Sequence, residues 1–203
     1  MYANYDIVNK SRPFRWGSLL LVIVISITIW QFTQGKEIFL KTWLSRGLLH
    51  TAWVRTQASG RIVKPWPWAN TWPLGRIYVP HLKLEQIILF NNSNNILSLA
   101  PSHANSTVLP GYMGNSVLNI HRNIYFQFLK HLKANDKIVL ESFNNGRWHY
   151  TVDNIYIVDK TTIEFVKPTL DRRLTLISCY PCESNNERRR YVVVVKETER
   201  EAF

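Results

Sequence analysis

The chain has 203 residues, 46% of them hydrophobic, with 25 Lys and Arg against 14 Asp and Glu and a formal net charge of +11. This composition excludes general disorder and predicts one core-bearing domain with an accessory segment. Such a charge suits a nucleic acid, an anionic lipid surface or an acidic polymer. No helix-turn-helix, zinc-finger or RNA-binding motif is present, so we predict no nucleic-acid partner. Two cysteines are too few for a disulfide framework or a structural zinc site, and we predict no metal and no cofactor.

The first element along the chain is an uncharged, mostly aliphatic run over residues 16–32. As a helix it would be about 25 Å long, near the lower limit for crossing a bilayer. Lys10, Arg12 and Arg15 precede it, and no small-residue cleavage site follows it. We therefore predict a retained single-pass anchor with its basic flank over residues 1–33, rather than a cleaved signal peptide or a buried core helix. The amino terminus would be cytoplasmic, and the remainder of the chain would lie on the periplasmic side of the inner membrane.

Residues 34–73 are predicted to connect the anchor to the folded domain. Residues 37–55 have helical spacing, which can place Leu40, Trp43, Leu44, Gly47, Leu48 and Ala52 on one face. This amphipathic helix could pack on the domain or lie on an anionic membrane surface, and the pattern is compatible with both. Three prolines in residues 64–73 exclude regular structure there, so we predict an extended connector whose tryptophans pack against the domain.

Residues 74–203 are predicted to form a mostly β domain, because short apolar or alternating runs are separated by turn residues. Asn144-Asn-Gly146 predicts a hairpin. One helical stretch is predicted over residues 124–133, with Ile124, Phe128, Leu129 and Leu132 facing the core. The predicted strands are residues 75–79, 84–89, 116–121, 137–143, 147–159, 164–166, 173–180 and 190–196.

Three polar residues stand at the ends of apolar runs. His121 ends one strand, Cys179 ends another, and Arg190 opens the last. A cysteine needs a base or a cation beside it to attack a carbonyl near neutral pH, and an imidazole can be either. An arginine can donate to the oxyanion of the tetrahedral intermediate. Read singly, each residue has an ordinary structural explanation, and spacing alone does not show that the three meet.

The blocks around these residues resemble the signature blocks of the sortases, which are membrane-anchored cysteine transpeptidases. The likeness covers residues 66–196 in the family's block order, and residues 65–73, Gly114-Asn115 and Cys179-Tyr-Pro181 are similar to the proteobacterial branch called class GN. The resemblance implies a closed β-barrel of about eight strands with one or two short helices. The three blocks are Gly114-Asn-Ser-Val-Leu-Asn-Ile-His-Arg122, Leu174-Thr-Leu-Ile-Ser-Cys179 and Arg190-Tyr-Val-Val-Val-Val195.

The resemblance also implies a role for each residue of the triple. Cys179 would form a thioester with a carboxy-terminal sorting signal of a secreted protein, and His121 would exchange protons with the leaving and incoming amines. Arg190 would hold the substrate backbone or the oxyanion, with Arg188 and Arg189 in reserve. Two departures from the family pattern are Asn119-Ile120, where small residues are usual, and Ser178, where threonine is usual. The substrate-binding residues are not evident, and the candidates are Arg122, Ser178 and Tyr180.

Two other functions remain compatible with the sequence. Cys179 and Cys182 form a Cys-x-x-Cys pair, which outside the cytoplasm can cycle through a disulfide, so an extracytoplasmic thiol-disulfide oxidoreductase is one alternative. Such sites usually place the first cysteine at a helix amino terminus within a βαβ unit, and this pair instead follows a strand. The other alternative is a membrane-tethered β-domain without enzymatic activity that binds polyanions through its basic surface.

Overall fold

The computed structural model describes residues 16–90, 100–121, 126–181 and 188–201. The basic flank at residues 10–15, the candidate Arg122 and the second cysteine Cys182 lie outside these described residues. The chain forms two compact units, residues 1–43 and residues 44–203. Helix α1 extends over Trp16–Ser59, and in the first unit its side chains from residue 20 to residue 25 are exposed. Among the described residues, no helix is both long enough and apolar enough for a membrane span, and the anchor stays a prediction.

The second unit contains a closed barrel of eight strands, as predicted. The strand order around the barrel is β1-β2-β3-β4-β7-β8-β6-β5, with β2/β3 and β4/β7 parallel and the other pairs antiparallel. The strands are β1 (Pro73–Val79), β2 (Leu84–Leu89), β3 (Ser102–His103), β4 (Gly114–Asn119), β5 (Lys137–Ser142), β6 (Arg147–Asp159), β7 (Arg172–Tyr180) and β8 (Arg189–Glu201).

Alternation along the strands fills the interior of the barrel. Leu118, Leu176 and Val193 are each fully buried, and they occupy one continuous layer because Leu118 pairs with Leu176 and Leu176 pairs with Val193. Burying one such side chain contributes about 1.5–3 kcal/mol to folding, so the layer is a main source of stability. The other members of the core come from β1, β2, β5, β6, β7, β8 and helix α2 (Phe126–His131), and from the residues that directly follow β4 and α2.

Several predicted elements are confirmed. Strands β2 and β6 have the predicted bounds, and the Asn-Asn-Gly turn joins β5 to β6 with Asn145 at a positive φ of 62°. The structure describes the predicted helix over Phe126–His131, so it ends two residues before the predicted end, and its Phe128 and Leu129 are buried as expected. Ile124 lies outside the described residues.

One predicted strand, over residues 164–166, is wrong. These residues form a 3-10 turn, η2 (Glu164–Val166), which follows η1 (Pro80–Leu82) among the described residues. Its hydrogen bonds run from Val166 N to Ile163 O and from Lys167 N to Glu164 O. The ladders explain the error. Strand β7 is paired on both sides by β4 and β8, and β6 is paired by β5 and β8, so no strand edge is open to this segment.

The end of α1 packs on the barrel, which is one of the two readings of the amphipathic helix. Leu49 and Trp53 are buried, and Gln57 Nε2 donates to Ser142 O at 2.9 Å. The buried face of the helix lies about one position further along the chain than the predicted face: Leu44 is 52% exposed, whereas Leu49 is 3% exposed. A sequence with apolar residues on both sides of a helix does not show which side meets the sheet.

The tryptophan-rich connector has buried and exposed residues along its length. The ring of Trp72 stacks on that of Phe90 with centroids 4.3 Å apart, as predicted for the connector's tryptophans. Trp68 is 80% exposed and does not follow this prediction.

Candidate active site

Strands β4, β7 and β8 carry an apolar cluster on the outside of the barrel in addition to the core. Residues at alternate positions of these strands face the interior, and the residues between them face outward. The outward positions are buried because the β6–β7 connection, with Phe165 and Val166, covers them together with Val158. We call this cluster the outer cluster, and it consists of Ala104, Val117, Ile177, Val192 and Val194.

Cys179 and Arg190 continue the outward rows of β7 and β8. Cys179 follows Ile177 at the same phase of β7, and Arg190 precedes Val192 at the same phase of β8. The two residues are direct partners in the antiparallel ladder, so their side chains leave the sheet beside each other on one face. Both are half-buried.

His121 reaches the same end of the barrel from β4. That strand is parallel to β7, with Asn119 paired with Ile177, and the ladder continues as Ile120 N donates to Ile177 O at 2.8 Å. Asn119 and Ile177 are level in this ladder, and His121 and Cys179 each follow by two residues. His121 and Cys179 are therefore level with each other on neighbouring strands. The backbone thus brings all three predicted catalytic residues to one end of three adjacent strands, and His121 is half-buried there.

The setting of Cys179 bears on the redox alternative. Cys179 carries a thiol and lies within β7, in a barrel without a helix at this cysteine among the described residues. A strand position lacks the helix dipole that lowers the pKa of the first cysteine in thioredoxin-like sites. The environment of Cys179 therefore favours chemistry with its neighbours on β4 and β8. Cys182 lies outside the described residues, and a disulfide between the two cysteines stays a hypothesis.

The candidate substrate-binding residues next to Cys179 face the other way. Ser178 is 3% exposed and at a core-facing phase of β7. Tyr180 packs against the core, and its ring lies 6.1 Å from that of Tyr191. Burial, with a contribution from Tyr180, raises the pKa of Tyr191, so its phenol is neutral at physiological pH. These rings support the strand end beneath Cys179, and a direct contact with substrate stays a prediction.

Sequence reasoning missed His103, which is 2% exposed. Its Nε2 lies 2.8 Å from Val108 O and 3.2 Å from Thr107 Oγ1, so it ties the β3–β4 connection to the sheet. Because a carbonyl only accepts, Nε2 carries the proton and Nδ1 does not. Strand β3 has two residues, too few to produce a periodic signal, so nothing in the sequence distinguished this histidine from the others.

His103 is expected to make stability depend on pH. Burial lowers the pKa of His103 from its ordinary 6.5, although the hydrogen bonds that its ring makes to Val108 and Thr107 partly oppose this. The folded state thus binds fewer protons than the unfolded state below about pH 6.5. The contribution of His103 to the free energy of unfolding should be fully present above that pH. It should fall, by at most about 1.4 kcal/mol per pH unit, as the pH drops toward the folded-state pKa.

Urea unfolding of the wild type and of His103→Gln between pH 7.5 and 5.5 measures this effect. The stability advantage of the wild type over the variant should shrink as the pH falls. An advantage that stays constant over this interval would show that His103 titrates with the same pKa in both states.

A cavity of about 740 Å³ lies elsewhere, beside the end of α1 and strands β1 and β5. β1 is opposite β7 in the barrel order, so the cavity is remote from Cys179. Its cations are paired with carboxylates: Arg76 with Glu85 and Glu141, and Arg147 with Glu141. These ion pairs stabilise neighbouring strands and leave little net charge for a ligand.

The closed eight-stranded barrel is that of solved sortases. A Clostridium perfringens sortase D5 transpeptidase has a TM-score of 0.62 at 16% identity, covering 77% of this chain and 99% of that one. Listeria monocytogenes sortase A has a TM-score of 0.58 at 24% identity, covering 64% and 90%. Streptococcus agalactiae sortase C1, solved with MTSET, has a TM-score of 0.57 at 21% identity, covering 64% and 72%. At these identities the likeness is one of fold.

The sequence itself matches the Sortase domain model over residues 77–198, which is more than half of the chain. The protein belongs to the sortase family. No curated protein matches the chain. Membership implies a cysteine transpeptidase acting on a protein that carries a sorting signal, while the likeness to class GN stays a prediction.

Proposed function

We propose that this protein is a cysteine transpeptidase that cleaves a carboxy-terminal sorting signal of a secreted protein and transfers the acyl group to an amine. The observation that supports it most directly is the ladder pairing of Cys179 with Arg190, with His121 at the same end of the adjacent strand. The outer cluster supports it too, because this buried apolar packing fixes the same face of the three strands beside the thiol, as a preorganised site requires.

The proposed reaction has two acyl-transfer steps. The thiol of Cys179 gives its proton to His121, its sulfur attacks the scissile carbonyl, and Arg190 donates to the oxyanion or to the substrate backbone. The carbon–nitrogen bond then breaks, His121 passes this proton to the departing amine, and a thioester remains. In the second step an incoming amine attacks the thioester and His121 accepts its proton; the carbon–sulfur bond breaks, and the proton returns from His121 to the departing sulfur of Cys179. An amine rather than water as acceptor makes the reaction a transfer.

The proposed location is the outer face of the inner membrane, with the uncharged run of residues 16–32 as the anchor and the basic residues before it in the cytoplasm. Anchoring would confine enzyme and substrate to one surface and so raise their effective concentration. The identity of the amine is open, and the substrate is proposed to be a secreted protein with a sorting motif.

Trapping the acyl-enzyme tests this proposal. The full chain in detergent is incubated with a randomised peptide library without an added amine, and intact-mass spectrometry followed by peptide mapping locates adducts. We expect acyl adducts on Cys179 that hydroxylamine removes, since thioesters react with this nucleophile. Peptides bound through a reducible disulfide, or no adduct with any peptide, would contradict the proposal.

A further inference from the structure

Asn115 is a buried amide that bonds in three directions. It is 4% exposed, on β4. Its Nδ2 donates to Phe165 O at 2.8 Å and to Lys167 O at 3.1 Å, and its Oδ1 accepts from Thr175 Oγ1 at 2.7 Å. Both amide hydrogens are therefore used, each on a backbone carbonyl.

The two carbonyls belong to the segment that covers the outer cluster. We call residues 164–167 the roof segment, and it contains η2. Its Phe165 and Val166 pack against the outer cluster, and the ring of Phe165 lies 5.0 Å from that of Tyr156. The carbonyls that Asn115 holds flank Val166, so one side chain of the sheet fixes the height of the roof segment above the apolar surface.

Thr175 determines how the amide is oriented. It is fully buried, and it lies on the outward row of β7 that continues through Ile177 to Cys179. A hydroxyl donating to Oδ1 leaves Nδ2 facing the roof segment, which is the orientation that two carbonyls require. Thr175 and Cys179 are four residues apart, about 13 Å along the strand, so this network does not touch the reacting atoms.

Gly114 allows Asn115 to sit at this position. Gly114 has a φ of +113°, which a side chain disfavours, and a Cβ there would lie 3.3 Å from both γ-carbons of Val108. Its amide donates to Asp171 O at 3.2 Å, at the start of β7. The Gly-Asn pair thus begins β4 beside β7 and directs the amide outward.

We infer that Asn115 is a positioning residue for peptide binding, which holds the roof segment against the outer cluster and so keeps the shape of the barrel face on which Cys179 lies. This inference rests on the proposed function. Loss of the hydrogen bonds from Asn115 should weaken substrate binding and leave the acyl-transfer chemistry at Cys179 nearly intact, because these bonds hold the roof segment and do not reach the thiol.

Four substitutions should weaken the hold of Asn115 on the roof segment to different degrees. Asn115→Asp keeps the shape and replaces both donors with an acceptor that repels the two carbonyls. Asn115→Ala removes all three bonds. Thr175→Val keeps the shape and removes only the bond that orients the amide, whereas Thr175→Ser keeps that bond. We expect the effect to decrease in this order, and Asn154→Asp, at an exposed position on β6, is the matched control for the change in charge.

Hydrogen exchange tests, without any substrate, whether Asn115 holds the roof segment. In the full chain in detergent, Asn115→Asp should raise the exchange rates of the Val166 and Lys167 amides, which donate within the 3-10 turn, at least about tenfold, as expected for the loss of a buried hydrogen bond. Asn154→Asp and Thr175→Ser should match the wild type. Unchanged exchange in Asn115→Asp and Asn115→Ala would overturn the inference. Thr175→Val supplies a second measurement if the Asn115 variants fail to fold.

Kinetics with a peptide identified by acyl-enzyme trapping test the consequence. We expect KM to rise about tenfold in Asn115→Ala with kcat changed less than about threefold. A fall in kcat with KM unchanged would overturn the positioning role. If no peptide acylates the wild type, the proposed function and the role in substrate binding both fail, and the exchange rates still decide whether Asn115 anchors the roof segment.

Discussion

Cys179→Ala is expected to abolish the acyl-enzyme and to reduce peptide turnover by at least about 10³-fold, because the proposed thioester forms on the sulfur of Cys179. His121→Ala should reduce turnover comparably, since the leaving amine then lacks its proton donor. Peptide cleavage followed by chromatography measures both losses. Thermal unfolding should show that the variants keep the wild-type fold, since Cys179 is only half-buried.

Cys182→Ala is the matched control for this prediction. Acyl transfer needs one sulfur, so Cys182→Ala should keep most of the activity, whereas a dithiol mechanism needs both sulfurs. Equal losses from the two cysteine variants, together with turnover of a disulfide substrate, would replace the transpeptidase with an oxidoreductase. Salt-sensitive polymer binding that persists after Cys179 is alkylated, with no peptide cleaved, would favour the non-enzymatic alternative.

Leu176→Ala is expected to lower the free energy of unfolding by about 2–5 kcal/mol. Leu176 is fully buried between Leu118 on β4 and Val193 on β8, at the centre of the layer that joins the three strands of the site. The truncated side chain would leave a cavity, because three paired strands cannot move together to fill it. Urea unfolding followed by tryptophan fluorescence measures the change.

Ile157→Ala is the control for the core prediction. Ile157 lies on β6, and its side chain is 49% exposed, so its truncation should cost well under half of the loss at Leu176. If both substitutions lowered stability equally, the assignment of Leu176 to the central layer would be wrong.

Strong local patterns predicted most of the barrel. The alternation in β6 and the Asn-Asn-Gly turn before it gave the correct strand and the correct hairpin, since both signals depend on residues that are neighbours in the sequence. The buried pair Phe128 and Leu129 was predicted for the same reason, from spacing within one helical turn.

Local patterns failed where a distant partner decided the outcome. Residues 164–166 read as a strand, but the neighbouring ladders were already complete and the segment became the roof over the outer cluster. The buried face of α1 was displaced because its apolar residues surround the helix and the sheet selects one side. No local pattern showed that His103 is buried or that Asn115 holds the roof segment, since both bond to backbone atoms of loops.

The sequence by itself determined the strand content, the family resemblance and the three candidate catalytic residues, because these depend on residue type and on spacing within short blocks. Only the tertiary structure decided that Cys179 pairs with Arg190, that His121 ends beside them, and that an amide on β4 holds the segment that covers the outer cluster. The physical reason is that strand register, which places residues more than 50 positions apart on one face, is set by packing of the whole barrel.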